Sequence, residues 1–448
     1  MSVLPSVRAG TAVDGSALEP TLVLVFCGPG NGGTQRRRIP REGLLLGRDA
    51  TVFDEPFADP RMSIRHAEVR FEKGRVLLRD LDSEQGTRVN GQLLIGDRAL
   101  EPGDVVRLGD TLFVYAPATP AGPPPEPNMI GDSASMIAIR RSIEAVARRK
   151  HMVVITGETG TGKEVVAHLV HERSQRTGPF IAVNCGTFTE GLLASDLFGH
   201  VRGAFTGAVS EQQGLFRAAR GGTLMLDEVA EIPLPLQSML LRVLEMREVR
   251  PVGGTRDIAT DVRVITTSNR ELIDLVQAGR FRADLYSRLA QWTIRLPRLR
   301  ERREDIPALV RHLLATCDGA GRTLSPDLAE ALLAHDWPLN VRGLLTVLSV
   351  AVVSNLDDGP LLLTQDVRLA LWTTRSMTAE VEAVEAPALH KEELTQLMER
   401  FHGKVAAAAR HVGVTRPKLY RLLWANEIGD LPQRAASRRL VACSAPFA

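Results

Sequence analysis

MVVITGETGTGKEVVAHLVHERS, residues 152–174, is the stretch whose reading decides the fold. A short apolar run enters a glycine-rich turn, and a helical pattern follows. In that order a strand delivers the chain to a loop whose backbone N–H groups converge on phosphate oxygens, and the helix start adds a favourable field for anions. The phosphate-binding residues expected from this are Gly157, Glu158, Thr159, Gly160, Thr161, Gly162, Lys163 and Glu164, with Lys163 reaching the terminal phosphates. Lysine is rare here, six against 49 arginines, which makes Lys163 conspicuous. Glu164 stands where such loops commonly place a Ser or Thr magnesium ligand.

Outward from this loop, TLMLDE (223–228) and VRVITTSN (262–269) are further short apolar strands that alternate with helical stretches. That alternation predicts an α/β core with a parallel sheet covered on both faces. TLMLDE ends on two carboxylates: Asp227 is suited to hold magnesium through water, and Glu228 to orient or deprotonate the attacking water. A capping acid pair is the bland alternative, and the loop upstream weighs against it. Asn184, in FIAVNC, and Asn269, closing VRVITTSN, put neutral polar tips where strands emerge, placed to sense a γ-phosphate or simply to form turns. FRADLYSRL (281–289) carries Arg282 and Arg288, either a solvated helix face or arginines supplied across a subunit interface to a phosphoryl group. Residues 203–208, GAFTGA, set one ring among small residues, so a loop hinged on glycine presents an aromatic.

The chain has 448 residues, enough for about three domains. A net charge of +2 offers no global attraction for nucleic acid, so any DNA contact is local. Cys27, Cys185, Cys317 and Cys443 lie far apart, which fits a reducing cytosol and excludes a disulfide scaffold. Leu22–Cys27, the longest early apolar stretch, is far short of the roughly 20 residues of a membrane span, so the expected location is cytoplasmic, without a membrane partner.

Residues 20–116 show TLVLVF, HAEVRF, RVLLRDL and DTLFVY punctuated by SEQGT, VNG and EPGD, which predicts an all-β sandwich. Residues 117–128, PATPAGPPPEPN, hold six prolines and read as a stiff linker. The ATPase segment is expected over 129–372 with an α-helical lid from about 297, an acidic linker over 373–387, an all-α segment over 388–428, and a disordered tail over 429–448. Within 388–428, two helical stretches flank Gly413, with Thr415 as N-cap and Pro417 in the first turn of the second. This is an αα-hairpin or a helix-turn-helix; in the second case Thr415, Arg416, Lys418, Tyr420 and Arg421 approach bases and phosphates.

Residues 129–372 resemble the bacterial enhancer-binding proteins, AAA+ ATPases that activate sigma-54 RNA polymerase, through GETGTGKE, DLFGHVRGAFTGA, GGTLMLDE, FRADLYSRL, LPRLRER and WPLNVRGL in family order. The resemblance implies ATP and Mg2+ as cofactors and a homo-oligomer, hexameric in the family. It implies that Gly203, Ala204, Phe205, Thr206, Gly207 and Ala208 engage sigma-54, with Phe205 and Thr206 at the tip. Lys163, Asp227, Glu228 and Asn184 would carry hydrolysis and its coupling, Gly221 and Gly222 would join the nucleotide set, Arg282 and Arg288 would be trans-acting fingers, and Arg342 the lid's nucleotide sensor. Glu164 is usual in this family. The lid motif departs from the family's WPGNVREL at Leu339 and Gly343, and Ser268 replaces a Thr.

The C-terminal segment resembles the Fis-type DNA-binding domain, which implies enhancer DNA as a partner. The first domain resembles a forkhead-associated (FHA) domain through LLLGRD, SIRHAEV, DLDSEQGTRVNG and GDVVRLGDTLFVY. That resemblance implies phosphothreonine-peptide binding by Arg48 and Ser63, with Gln85 where Asn usually meets the peptide backbone and His66 orienting the loop. The expected protein is a sigma-54-dependent activator that reads a Ser/Thr kinase signal on a phosphothreonine protein, a sister protomer being one candidate. The alternatives are a non-enzymatic DNA-binding regulator with a decayed ATPase, and an AAA+ unfoldase or helicase loader. The intact Lys163, Asp227 and Glu228 weigh against the first, and GAFTGA beside a Fis-like segment against the second.

Overall fold

The computed structural model describes residues 20–27, 35–48, 57, 59–72, 74–120, 122–123, 126–186, 190–384, 394, 397–398 and 400–401, with backbone alone over 376–384. Two compact units divide the chain, residues 1–374 and 375–448.

The first unit opens with the expected sandwich. One sheet orders Gln35–Arg38, Pro20–Cys27, Thr111–Pro117, Val105–Leu108, Thr87–Val89 and Gln92–Leu93, and the other orders Leu44–Leu46, Ala67–Glu72, Arg75–Asp80 and Arg98–Ala99. Leu22, Leu24, Val69, Leu78, Val106 and Phe113 fill the space between the sheets. The next residues along those strands are also buried: Val23, Val25, Val105, Leu112 and Val114 join a second core with lid residues Leu309, Val310, Leu313, Leu332 and Leu333. Strands apolar on both faces are covered on both faces. The sandwich is therefore packed against the lid, and Arg107 ties the two, at 2.6 Å from Glu330 and 2.8 Å from Asp327.

The α/β core is a five-stranded parallel sheet in the order Phe180–Asn184, Thr223–Asp227, Arg263–Ser268, Val153–Thr156, Trp292–Arg295. Because all strands run the same way, Thr156, Asn184, Asp227 and Ser268 emerge together at one edge. Helices Ala134–Ala147 and Lys163–Glu172 cover one side of Ile155 and Ile265, and Leu234–Met246 packs on the other core around Leu224 and Leu226.

The lid helices are Ile306–Leu314, Pro326–Ala334, Asn340–Ser354 and Gln365–Val384. The last one corrects the predicted linker, since residues 373–384 are helical. TTRSMTAEVEAV lacks Gly and Pro and holds good helix formers, so nothing in it stops the helix before Pro387. No helix among the described residues is long and apolar enough to cross a membrane. Thr415, Arg416, Lys418, Tyr420 and Arg421, together with the expected tail, lie outside the described residues.

Candidate functional site

The strand Val153–Thr156 ends at Gly157, and the loop winds through Gly160 (φ 77°) and Gly162 (φ 102°) before the helix begins at Lys163. Both glycines hold left-handed conformations that side chains disfavour. Lys163 is 9% exposed; its Nζ donates to Gly157 O (3.0 Å) and Glu158 O (3.4 Å) and stands 3.7 Å from Glu228 Oε1. Glu228 is itself at φ 53°, where its carboxylate accepts from Asn269 N (3.1 Å) and its own N–H bonds Thr267 Oγ1 (3.2 Å). Asp227 accepts from the Thr267 hydroxyl and from Asn184 Nδ2 (3.3 Å). An ammonium, two carboxylates and two asparagines thus converge at the emergent sheet edge. A cleft of ≈ 530 Å³ opens beside them, lined by Thr159–Val166, Asn184, Asp227, Glu228 and Arg342 and by apolar Met129, Ile130 and Leu309. That size and mixture suit a nucleotide, with phosphates on the loop and a base among the apolar groups.

The side chains of the expected set divide. Glu164 is exposed and faces His168 along the helix. Glu158 turns to the lid, paired with Arg298 (2.8 Å) and Arg300 (3.4 Å). Arg282 pairs with Asp284 (2.7 Å) and bonds Ser238, Arg288 donates to Leu244 O (3.3 Å), and neither is among the residues lining the cleft of its own chain. Gly221 and Gly222 require a correction. They precede the strand Thr223–Asp227, at the opposite end of the sheet from Asp227. A Cβ on Gly222 would lie 2.0 Å from Pro179 O, so that glycine permits close packing of two chain segments and does not bind nucleotide.

Reasoning from sequence missed Asn340, Thr267 and Arg302. Asn340, fully buried, accepts from Leu299 N (2.8 Å) and donates to Thr159 O (3.0 Å) and Glu158 Oε2 (3.2 Å). Val341 N bonds Gly160 O (3.0 Å), so the lid is stitched directly to the phosphate loop. Arg302 is buried against Thr161 O and the Met136 sulfur, and burial lowers its pKa. Asn340 sits inside WPLNVRGL, a visible motif in which charge marks Arg342 and departure from the family pattern marks Leu339 and Gly343, while nothing local marks Asn340.

Helix Glu190–Phe198 leads into a two-stranded ladder, Gly199–His200 with Gln212–Gln213, that carries residues 203–208. Gly203 (φ 81°) and Gly207 (φ 105°) turn the loop back, closed by Gly203 N to Ala208 O (2.9 Å). Phe205 is 42% exposed and edges onto the His200 ring at 5.0 Å, and Thr206 is exposed beside it.

In the sandwich, Arg48 is exposed, its N–H bonded to Ser63 O (3.0 Å), and Ser63 Oγ accepts from Glu84 N (3.2 Å). Buried His66 accepts from Ser63 N at Nδ1 (3.1 Å) and faces Gly86 O with Nε2 (3.4 Å), which pins both loops; burial lowers its pKa and keeps it neutral. Gln85 is exposed on the same rim.

Residues 129–295 match the sigma-54 interaction domain, 44–109 the FHA domain, and 300–383 the AAA+ ATPase lid domain. The transcriptional regulatory protein GlrR of Escherichia coli (strain K12) is 42% identical over 302 residues, 66% of this chain and 67% of that protein. The response regulator protein PilR of Pseudomonas aeruginosa is 40% identical over 312 residues, 67% of this chain and 70% of that one. Among solved structures, NtrX from Brucella abortus in complex with ADP is similar at TM-score 0.51 and 32% identity, covering 67% of this chain and 70% of that one. The chain belongs to the family of sigma-54-dependent transcriptional regulators with an AAA+ ATPase core, and carries an FHA domain ahead of it.

Proposed function

We propose that this protein binds enhancer DNA through residues 388–428, assembles into a ring, and couples ATP hydrolysis to remodelling of the sigma-54 RNA polymerase closed complex. One observation carries the reading: Asn184, bonded to Asp227, ends the strand that leads through helix Glu190–Phe198 into the loop 203–208. A change at the phosphates has a short covalent route to that loop. Lys163 binds the terminal phosphates, Glu228 orients and deprotonates the attacking water, and Asn184 registers the outcome. Asp227, with both oxygens already hydrogen-bonded, fits a magnesium ion held through water, and the ion would offset phosphate charge. Arg282 and Arg288 serve the neighbouring protomer's nucleotide. That role fits a ring and their position away from the cleft of their own chain.

The FHA domain is the sensor in this reading. Arg48 and Ser63 take the phosphate of a phosphothreonine peptide made by a Ser/Thr kinase, with Gln85 beside the peptide backbone, on loops pinned by His66. The NtrX complex with ADP supports nucleotide binding by the shared core. Glu228→Gln tests the hydrolytic assignment: turnover should fall by about 10²-fold or more while ATP still binds, since only general-base help is lost. Turnover at the wild-type rate would remove Glu228 from that role.

A further inference from the structure

At the end of the parallel sheet away from Asp227, a cleft of ≈ 430 Å³ opens where the strands Arg263–Ser268 and Val153–Thr156 begin. Arg148, Arg149, Lys150, Arg176, Arg247 and Arg288 line it together with Arg263, against one carboxylate, Asp261. Seven cations thus gather in one cleft of a chain whose net charge is +2. Of the seven, only Arg176 has an ion-pair partner among the described residues, Asp261 at 3.0 Å, and that carboxylate is 75% exposed. Arg263 is 6% exposed and donates to Val146 O (3.0 Å) and Ala147 O, the last carbonyls of helix Ala134–Ala147. Capping that helix accounts for where Arg263 stands. It leaves the charge without a counterion, and burial, then the Arg176 charge, push the Arg263 pKa down to about 10. The Nε–H groups of Arg176, Arg263 and Arg288 are buried without an acceptor among the described residues. Cations gathered in this way cost stability unless an anion attends them.

We propose that this cleft binds a small polyanion carrying several phosphate groups, at a site separate from the phosphate loop of Lys163. Charge complementarity and size support it, and the recessed charge of Arg263 favours a ligand small enough to enter the cleft over the flat face of another protein. Met152, Phe216 and Leu244 add an apolar lining beside the cations, room for a base if the phosphates belong to a nucleotide. Arg288 donates to Leu244 O (3.3 Å) at the cleft, so bound phosphates hold it within its own chain. The consequence for turnover rests on the reading above in which Arg288 serves the neighbouring protomer's nucleotide: occupancy slows hydrolysis without displacing ATP from the phosphate loop.

The test is calorimetry on the full-length protein carrying Lys163→Ala, which weakens the rival phosphate site, with inorganic tripolyphosphate and adenosine tetraphosphate as probes. Tripolyphosphate should bind, and adding Arg149→Glu should weaken it roughly tenfold or more, the worth of one charge-assisted contact, at an unchanged unfolding midpoint because Arg149 is exposed. Arg311→Glu changes net charge equally but lies outside the cleft, and should bind as before. Tighter binding of adenosine tetraphosphate assigns the apolar lining to a base, and equal affinity assigns the site to phosphates alone. With Lys163 intact and magnesium in excess, tripolyphosphate should lower kcat for ATP, an effect that Arg149→Glu removes, whereas competition at the phosphate loop raises only KM. No binding to the Lys163→Ala protein, or equal weakening by Arg149→Glu and Arg311→Glu, overturns the site. So does a sedimentation result in which Arg149→Glu breaks an oligomer while tripolyphosphate affinity is unchanged, since the cleft would then receive a second copy of the chain. Binding that leaves kcat unchanged overturns the hold on Arg288. Wild-type turnover by Arg288→Ala overturns its trans-acting role and leaves the binding site intact.

Discussion

At the scale of single residues, Asn340 shows how much one buried amide can join. It holds Leu299 N–H, Thr159 C=O and Glu158 from a left-handed backbone position (φ 50°). Asn340→Ala strands a buried donor and a buried acceptor, each worth about 1–3 kcal/mol. The expected outcome is a lower unfolding midpoint and a raised KM for ATP with a smaller change in kcat, checked by thermal unfolding and steady-state turnover. Glu304 gives a pH signature. Burial, and then the neighbouring Asp305 carboxylate, push its pKa from 4.5 to about 7. Its neutral form therefore stabilises the fold at low pH, and that contribution declines as pH rises from 4.5 to about 7, by roughly 3 kcal/mol. Glu304→Gln should gain stability relative to wild type across that window and keep a constant difference above it, read from unfolding midpoints at successive pH values. The residues of the loop and sheet edge that line the cleft were legible because charge and glycine spacing mark them. Asn340 and Glu304 were not, since their roles arise from burial.

At the scale of elements, the lid's departures at Leu339 and Gly343 are one change. A Cβ on Gly343 would lie 3.2 Å from Leu339 Cβ and 3.7 Å from the Trp337 ring, so Leu339 occupies room that the absent side chain leaves. Gly343→Glu alone should destabilise the lid. Adding Leu339→Gly should recover part of the loss, a coupling of about 0.5–3 kcal/mol in a double-mutant cycle. Additive effects would show the two positions to be independent. Sequence displays both departures but not their contact, which takes a helix turn to create. Strand ends and the P-loop turn were readable from apolar runs and glycines. The helix through residues 373–384 is masked in the sequence by its acidic composition, although no stop signal interrupts it.

At the scale of the whole molecule, sandwich and lid share a core, so the FHA domain and the ATPase lid are joined through the seam around Arg107. TLVLVF and DTLFVY hinted at this, being apolar on consecutive positions where a solvent-facing sheet would alternate. Which surface covers them needed the fold. In the proposed mechanism, hydrolysis at the cleft drives the loop 203–208. The most direct measurement compares wild type and Thr206→Ala for ATP turnover and for opening of a sigma-54 promoter in the same reaction. Both proteins should hydrolyse ATP at similar rates, and only wild type should open the promoter. Full opening by Thr206→Ala, or rapid turnover by wild type without opening, would contradict the account.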